Sequence, residues 1–335
     1  MTSSNLAPVT LTRVAAAAKV SLATASYSLR NDPCIPRTTA ARVQGVAKRL
    51  GYRPNPRVSA LMAHIRHSRP VTVGERIAFL WIDASQGERP YRIIFDKARE
   101  RAIQLGYSLE EFWRSAPGVS ARRLQQILYS RGIVGLLISP SCLPNPRFGI
   151  EWNWGLFSSA VIGTAECEPE LHHSAHHHYG GMRLAMLKLQ EMGKRRIVGL
   201  LNEKIEERAR RAWSAAFLAH HPQTHRAWEF LAQEDPENLS DVAFWIRQHK
   251  PDAIVGITGI IEILLKQGWC PPPKTTIVLL DWFPNSWGFG GIDQCESVIA
   301  ANAVDLVAGQ LEHNERGVPE HVKMLLFSGH WVSGK

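Results

Sequence analysis

Residues 9–63 constrain this chain more than any other stretch, because they break into helical segments too short to persist singly. Leu11 to Ala18 reads as an alanine-rich helix, Lys19-Val20-Ser21 as a tight turn, and Leu22–Leu29 as a second helix. A third is expected from about Pro36 to Leu50, stopped by Gly51. Val14, Ala18, Val20, Ala25 and Leu29 recur where three such helices would share one core. Ala15 and Ala25 are small enough to let the first two cross closely, and Ser21 can cap the second with its hydroxyl. The pattern is a helix-turn-helix with a supporting third helix. Pro54 and Pro56 then oppose helix, whereas Arg57–Ala63 spells two further turns that need a partner to persist.

Charge is localised in the same place. Residues 1–70 carry eleven Lys and Arg and one acid, Asp32, for a net +10. The whole chain is +9, so the remainder is close to neutral. A basic head on a neutral body is the electrostatic footprint of a nucleic-acid module joined to something else. A helix entering the major groove offers base edges its outward side chains, here Leu22, Ala23, Ser26 and Tyr27. Leu22 and Ala23 can make only apolar contacts, as to a thymine methyl, while Tyr27 adds a hydroxyl. Thr10, Ser21, Thr24 and Ser26 can bond phosphate oxygens, which position a head without reading sequence. For Thr24, burial between helices is an equally good reading.

These residues resemble the DNA-binding head of the lactose-repressor/galactose-repressor (LacI-type) family of bacterial transcriptional regulators. The likeness rests on Val9-Thr10-Leu11, Val14-Ala15, Val20-Ser21, Thr24, Ser26, Leu29, Asn31, Val43, Leu50, Gly51-Tyr52, Pro54-Asn55 and Leu61, matched without a gap. Ala25 and Tyr27 stand where the family commonly has Val and Arg, which points to a shifted operator preference. The resemblance implies that Asn55, Arg57 and Leu61 belong to a hinge helix that pairs with its dimer mate in the minor groove. The leucine there would wedge between base pairs, at a cost of a few kcal/mol of unstacking.

After Pro70 the pattern changes to strands alternating with helices, which implies parallel sheets wound on both faces. Two such runs are expected. The first includes strand 76–82, helix Ile94–Leu105, strands Ile133–Ile138 and Ala160–Gly163. The second runs through helix Tyr179–Met192, strand Arg196–Leu201, one helix Glu206–His220, strand Trp228–Leu231, helix Leu239–His249, strand Ala253–Ile257, helix Ile260–Gln267, strand Thr276–Leu280 and helix Val298–Leu311. The fold class is α/β: an N-terminal all-α helix-turn-helix head plus a two-lobed, periplasmic-binding-protein-like body of doubly wound parallel sheets. The expected divisions are 1–54 for the head, 55–70 for hinge and linker, and 71–335 for an effector-binding and dimerisation body. The body resembles that of the same family less closely, through Gly181 with Arg183-Leu184-Ala185, Gly193, Ile197, Asp281, Gln294 and Val304-Asp305. The resemblance implies crossings between lobes near His173–His177, Gly290–Asp293 and Val322–Phe327. Ile257-Thr258-Gly259 departs from the family's usual Asn-Asp pair, and the glycine before Asp281 is missing.

In open α/β sheets the ligand crevice lies beyond the carboxyl ends of the strands. That nominates Trp81, Asp83, Ser139, Arg208, Arg211, Asp281, Trp282 and Gln294 as effector-binding residues. Eleven tryptophans exceed what the core requires, and a sugar wants an aromatic face beside planar polar groups. Each tryptophan alone reads more readily as core than as a ligand platform, and each arginine equally well as a solvated helix face.

Other chemistries find little support. His172, His173, His176, His177 and His178 cluster, but no cysteine or carboxylate is spaced to complete a metal site. Gly87 and Gly290-Gly291 form no phosphate loop, and no nucleophile–base arrangement stands out. Neither metal, cofactor nor enzymatic activity is expected. Five scattered cysteines favour free thiols in a reducing cytoplasm, and Met1–Asn5 lacks the regions of a secretory signal. The expected partners are double-stranded operator DNA, a small-molecule effector of carbohydrate type and a second copy of the chain, with Ile260–Leu265 a candidate contact in that dimer. The competing reading is a carbohydrate-binding or carbohydrate-modifying protein without a DNA role.

Overall fold

A computed structural model describes residues 9–29, 35–52, 75–82, 91–114, 118–141, 152–232, 239–284 and 286–334. The expected hinge, with Asn55, Arg57 and Leu61, lies outside these residues, as does Asp83.

The head is three helices: α1 (Leu11–Ala17), α2 (Leu22–Leu29) and α3 (Arg37–Leu50). Val14, Ala15, Ala18, Ala25, Val43, Val46 and Ala47 form its buried core, with Val20 and Leu29 packed at the edge. Small residues at the crossing allow so compact a cluster. Gln44 ties α3 to α2 by donating to the Ser28 carbonyl at 3.0 Å. Gly51 closes α3 at φ +71°, a left-handed conformation that disfavours side chains.

The body holds two six-stranded sheets. The first runs β11-β5-β4-β3-β1-β2, with β1 Arg76–Trp81, β2 Ser108–Trp113, β3 Ile133–Ile138, β4 Ser158–Ile162, β5 His172–His176 and β11 Met324–Phe327. All its pairings are parallel. The second runs β12-β10-β9-β8-β6-β7, with β6 Ile197–Leu200, β7 Leu231–Ala232, β8 Ala253–Gly256, β9 Thr276–Leu279, β10 Gly290–Asp293 and β12 His330–Val332. Only the β10–β12 pairing is antiparallel. Both sheets wind alike: the chain starts inside the sheet, steps to one edge, then returns and proceeds the other way. That reversal, between β1 and β3 and between β6 and β8, opens a crevice at the strand carboxyl ends. Strands buried on both faces need continuous apolar runs, as Ile133–Ile138 shows. Gly291 is required by β10, since a Cβ there would meet the Leu279 carbonyl oxygen at 2.2 Å.

Helices α4 (Arg92–Gln104) and α11 (Glu296–His313) pack on one face of the first sheet. Arg101 Nε donates to Asp305 at 2.8 Å between them. Helix α5 (Ala121–Ser130) covers the other face. The second lobe is one core, including buried residues of α6 (His178–Glu191), α8 (Ala212–His220), α9 (Leu239–His249) and α10 (Thr258–Lys266). The chain passes between lobes after β5, after β10 and between β11 and β12, at the three places the resemblance implied.

Three expectations need correcting. Glu206–His220 is two helices, α7 (Glu203–Arg208) and α8, broken where Arg210 and Arg211 both take φ +54°. The Glu206 carboxylate reaches across the break and accepts from the Ser214 backbone N–H at 3.0 Å, so the second helix is capped by the first. Trp228–Leu231 is not a strand: Thr224–Phe230 is a 3-10 helix, and only Leu231–Ala232 pairs as β7. Its period of three explains why Ala227 and Phe230 are both buried while Arg226 pairs with Glu229 on the other side. Finally, Ile260, Ile261 and Leu264 are buried in the core of their own lobe, so the apolar stripe of Ile260–Leu265 is already occupied.

Candidate functional site

The head exposes one side of α2. Leu22 is 52% and Tyr27 43% exposed. Ala23 falls in the first turn of the same helix, while Thr24 and Ser26 are half-buried. Ser21 caps α2, its hydroxyl accepting from the Thr24 N–H at 3.1 Å and lying 2.8 Å from the Thr24 hydroxyl. Thr10 caps α1 the same way, accepting from the Arg13 N–H at 3.4 Å. Both caps leave a hydroxyl exposed at a helix N-terminus, where free N–H groups favour an anion such as phosphate.

In the body, the carboxyl ends of the two sheets face each other across a cavity of about 160 Å³. The first lobe lines it with Tyr91, Pro140, Ser141 and the Ile162–Ala165 turn after β4. The second contributes Arg208, Trp213, Asp281 and Phe283, and the crossing segments contribute His176, His178, Gln294 and Glu296. Of the residues expected from sequence, Arg208, Asp281 and Gln294 therefore meet in one place.

Each of the three is held by its surroundings. Asp281 follows β9, and its Oδ1 accepts from the Thr258 N–H at 2.6 Å and the Thr258 hydroxyl at 2.8 Å. Thr258 thus serves to hold the aspartate. Burial nonetheless raises Asp281 to about 6, against the opposing effect of those bonds and of Arg208. Gln294 Nε2 donates to the Leu280 carbonyl at 2.8 Å, which leaves its amide oxygen. Arg208 donates to the Ser141 carbonyl at 3.2 Å, so it reaches from the second lobe to the first. The same seam holds the Thr164 hydroxyl on the Arg208 carbonyl at 2.9 Å and Arg210 on the Thr164 carbonyl at 2.9 Å.

Four other nominees are placed elsewhere. Trp81 is fully buried against Phe79 and Phe95, and its indole N–H donates to Glu111 at 3.0 Å, so it is core. Ser139 is buried and accepts from the Ile82 N–H at 3.1 Å, joining two strand ends. Arg211 is exposed and pairs with Glu203, the solvated-face alternative. Trp282 packs on the second core and donates to the Phe289 carbonyl at 2.9 Å.

Sequence reasoning missed the residues brought by the crossings. Glu296 opens α11 beside the cavity, and burial raises it to about 7, with Asp293 and Asp281 adding repulsion. The histidine run becomes β5 and the start of α6, not a metal cluster: among the described residues no group of three or more His, Cys, Asp or Glu could hold a metal. Burial lowers His176 to about 4 and His178 well below its ordinary value, so both rings are neutral at pH 7. His178 lies against Trp213 with ring centroids 4.5 Å apart, and its Nε2 is 3.1 Å from the Thr164 hydroxyl. The spacing of Glu296 two residues after Gln294 was the one available signal.

Residues 10–55 match the family model for bacterial regulatory proteins of the lacI family. The whole architecture is that of solved regulators. A transcriptional regulator CelR–cellobiose complex aligns over 97% of this chain and 99% of its own, at 17% identity and TM-score 0.54. A lac repressor dimer bound to operator and the anti-inducer ONPF aligns over 98% and 99%, at 17% identity and TM-score 0.55. A regulatory protein of the LacI family from Chloroflexus aggregans covers 77% of this chain and 97% of its own, at 14% identity and TM-score 0.59. No curated protein matches the chain. The protein thus carries a lacI-family head on a body with the two-lobed fold of these regulators.

Proposed function

We propose that the protein is a sequence-specific transcriptional regulator that binds a near-palindromic operator as a homodimer and responds to a small molecule held between its lobes. The observation that carries this is the pairing of an exposed reading helix, Leu22–Leu29, with an inter-lobe cavity lined by Arg208, Asp281 and Gln294. One head buries too little surface for tight binding, and a symmetric dimer matches two half-sites. The effector is of carbohydrate class: the cavity sets planar polar groups beside Trp213, Tyr91 and Phe283, which suits hydroxyls on an apolar ring. Solved structures of similar fold contain cellobiose and D-xylulofuranose, which favours the same class here. The ligand acts by differential affinity for two lobe arrangements, and a coupling of ~1–3 kcal/mol makes a useful switch. The seam of Thr164, Arg208 and Arg210 is what such a rearrangement would make or break.

Selection of bound fragments from genomic DNA by the full-length protein, followed by affinity measurement with a sugar panel, tests both halves. Enrichment of a twofold-symmetric site supports the regulator. A chain indifferent to every duplex refutes it and leaves the carbohydrate-binding alternative.

A further inference from the structure

Among the described lining residues, the cavity holds more acidic side chains than cationic ones: Asp281 and Glu296 against Arg208. Asp281 and Glu296 both line it, and they lie close enough for Asp281 to oppose ionisation of Glu296. Arg208 is the cation among the described lining residues, and it acts on Asp281. It is also bound to the Ser141 carbonyl. Both histidines in the lining are neutral at pH 7 and add no positive charge. The charges acting on Glu296 are the two acids Asp293 and Asp281, and no cation is among them. The same cavity is lined by Trp213, Tyr91 and Phe283, whose ring faces attract cations. One further side chain in the lining is more than nine-tenths buried and unsatisfied: Trp213 is 2% exposed with no partner for its indole N–H. A buried polar group without a partner costs on the order of 1–3 kcal/mol, so a ligand that met such groups would gain by it.

We infer that the effector carries an amine as well as hydroxyls, an amino sugar or amino polyol whose ammonium is held by Glu296 and Asp281 while Arg208, Gln294 and the aromatic rings take its neutral part. This deepens the effector reading above and rests on it. An ammonium supplies the charge the cavity lacks, and it would draw both carboxyls into their ionised forms on binding. A sugar acid would face two carboxylates and is excluded by the same balance. The neutral part alone would satisfy hydroxyl partners but leave Glu296 without a counterion.

The test is calorimetric titration of the full-length protein at pH 7.5 with matched pairs: glucosamine against glucose, galactosamine against galactose, and glucamine against sorbitol. In at least one pair the amine should bind at least about tenfold more tightly than its neutral parent, a gap of about 1.4 kcal/mol. In the Glu296→Gln variant that ratio should fall towards one. Thermal unfolding of the variant verifies that it is folded. Equal affinities within every pair, or a preference unchanged in Glu296→Gln, overturn the amine assignment and leave the effector site standing. Silence from every compound overturns both.

Discussion

The head and the cavity put their functional side chains to opposite use. The head turns Leu22 and Tyr27 outward and keeps a core of alanines and valines, so its surface reads and its interior is generic. The cavity buries its polar groups, shifting Asp281 to about 6 and Glu296 to about 7. A solvated surface leaves charges near their ordinary behaviour and acts through number and position, whereas a buried site acts through the strength of a few groups.

That contrast can be broken at either end. The largest effect should come from Asp281→Ala, which strands the Thr258 N–H, while the Thr258 hydroxyl keeps the Asp281 backbone carbonyl at 3.0 Å. A loss of ~1–3 kcal/mol is expected in chemical denaturation, together with loss of any ligand-induced rise in Tm. Retention of the full ligand response in this variant would remove Asp281 from the site.

Glu296→Gln probes the same burial through pH. The folded-state pKa of Glu296, about 7, lies above its ordinary 4.5. Its contribution is therefore fully present below about 4.5 and lost as pH rises through 7. The Gln variant should gain ~1–3 kcal/mol over the wild type at pH 8 and nothing at pH 4. His176 slopes the other way: lowered to about 4 from 6.5, it contributes stability above 6.5 that is lost as pH falls towards 4. A difference between variant and wild type that ignores pH would show that Glu296 is solvated.

Ser21→Ala removes the cap of α2 and should destabilise the head by ~1 kcal/mol, seen as faster amide exchange in α1–α3 with the body unaffected. The smallest stability effect should come from Tyr27→Ala and Leu22→Ala, each within about 0.5 kcal/mol because the side chains are exposed. Their consequence should instead be a changed operator preference. Uniform weakening on all duplexes would assign Tyr27 to the backbone, whereas Arg13→Ala, which removes one charge of the cationic head, should lower the salt slope by about one.

The two regions also differ in how far they could be read in advance. In the head burial and capping follow from local period: Val14, Ala18 and Ala25 are buried, Leu22 and Tyr27 exposed, and Ser21 sits at a cap. In the body the strand–helix alternation was legible, because each buried strand needs its own apolar run. The break at Arg210-Arg211 was not, since the Glu206–Ser214 bond that closes it spans two helices and carries no Gly or Pro mark. Trp81 and Trp282 were nominated for lying at strand ends. The period of a strand does not say which side of a sheet faces a second lobe, and both rings found core partners instead. Arg208 and Arg211 looked alike three residues apart, until the left-handed turn aimed one at Ser141 and left the other with Glu203.

By itself the amino-acid sequence determined a cationic three-helix head and a doubly wound body, because those follow from local periodicity and composition. Only the tertiary structure decided which side chains meet between the lobes. Tyr91, Thr164, Arg208, Asp281 and Glu296 are spread over some two hundred positions and converge at the carboxyl ends of two sheets. Convergence of that kind depends on sheet order and on three chain crossings, and so does the burial that moves a carboxyl away from its ordinary pKa.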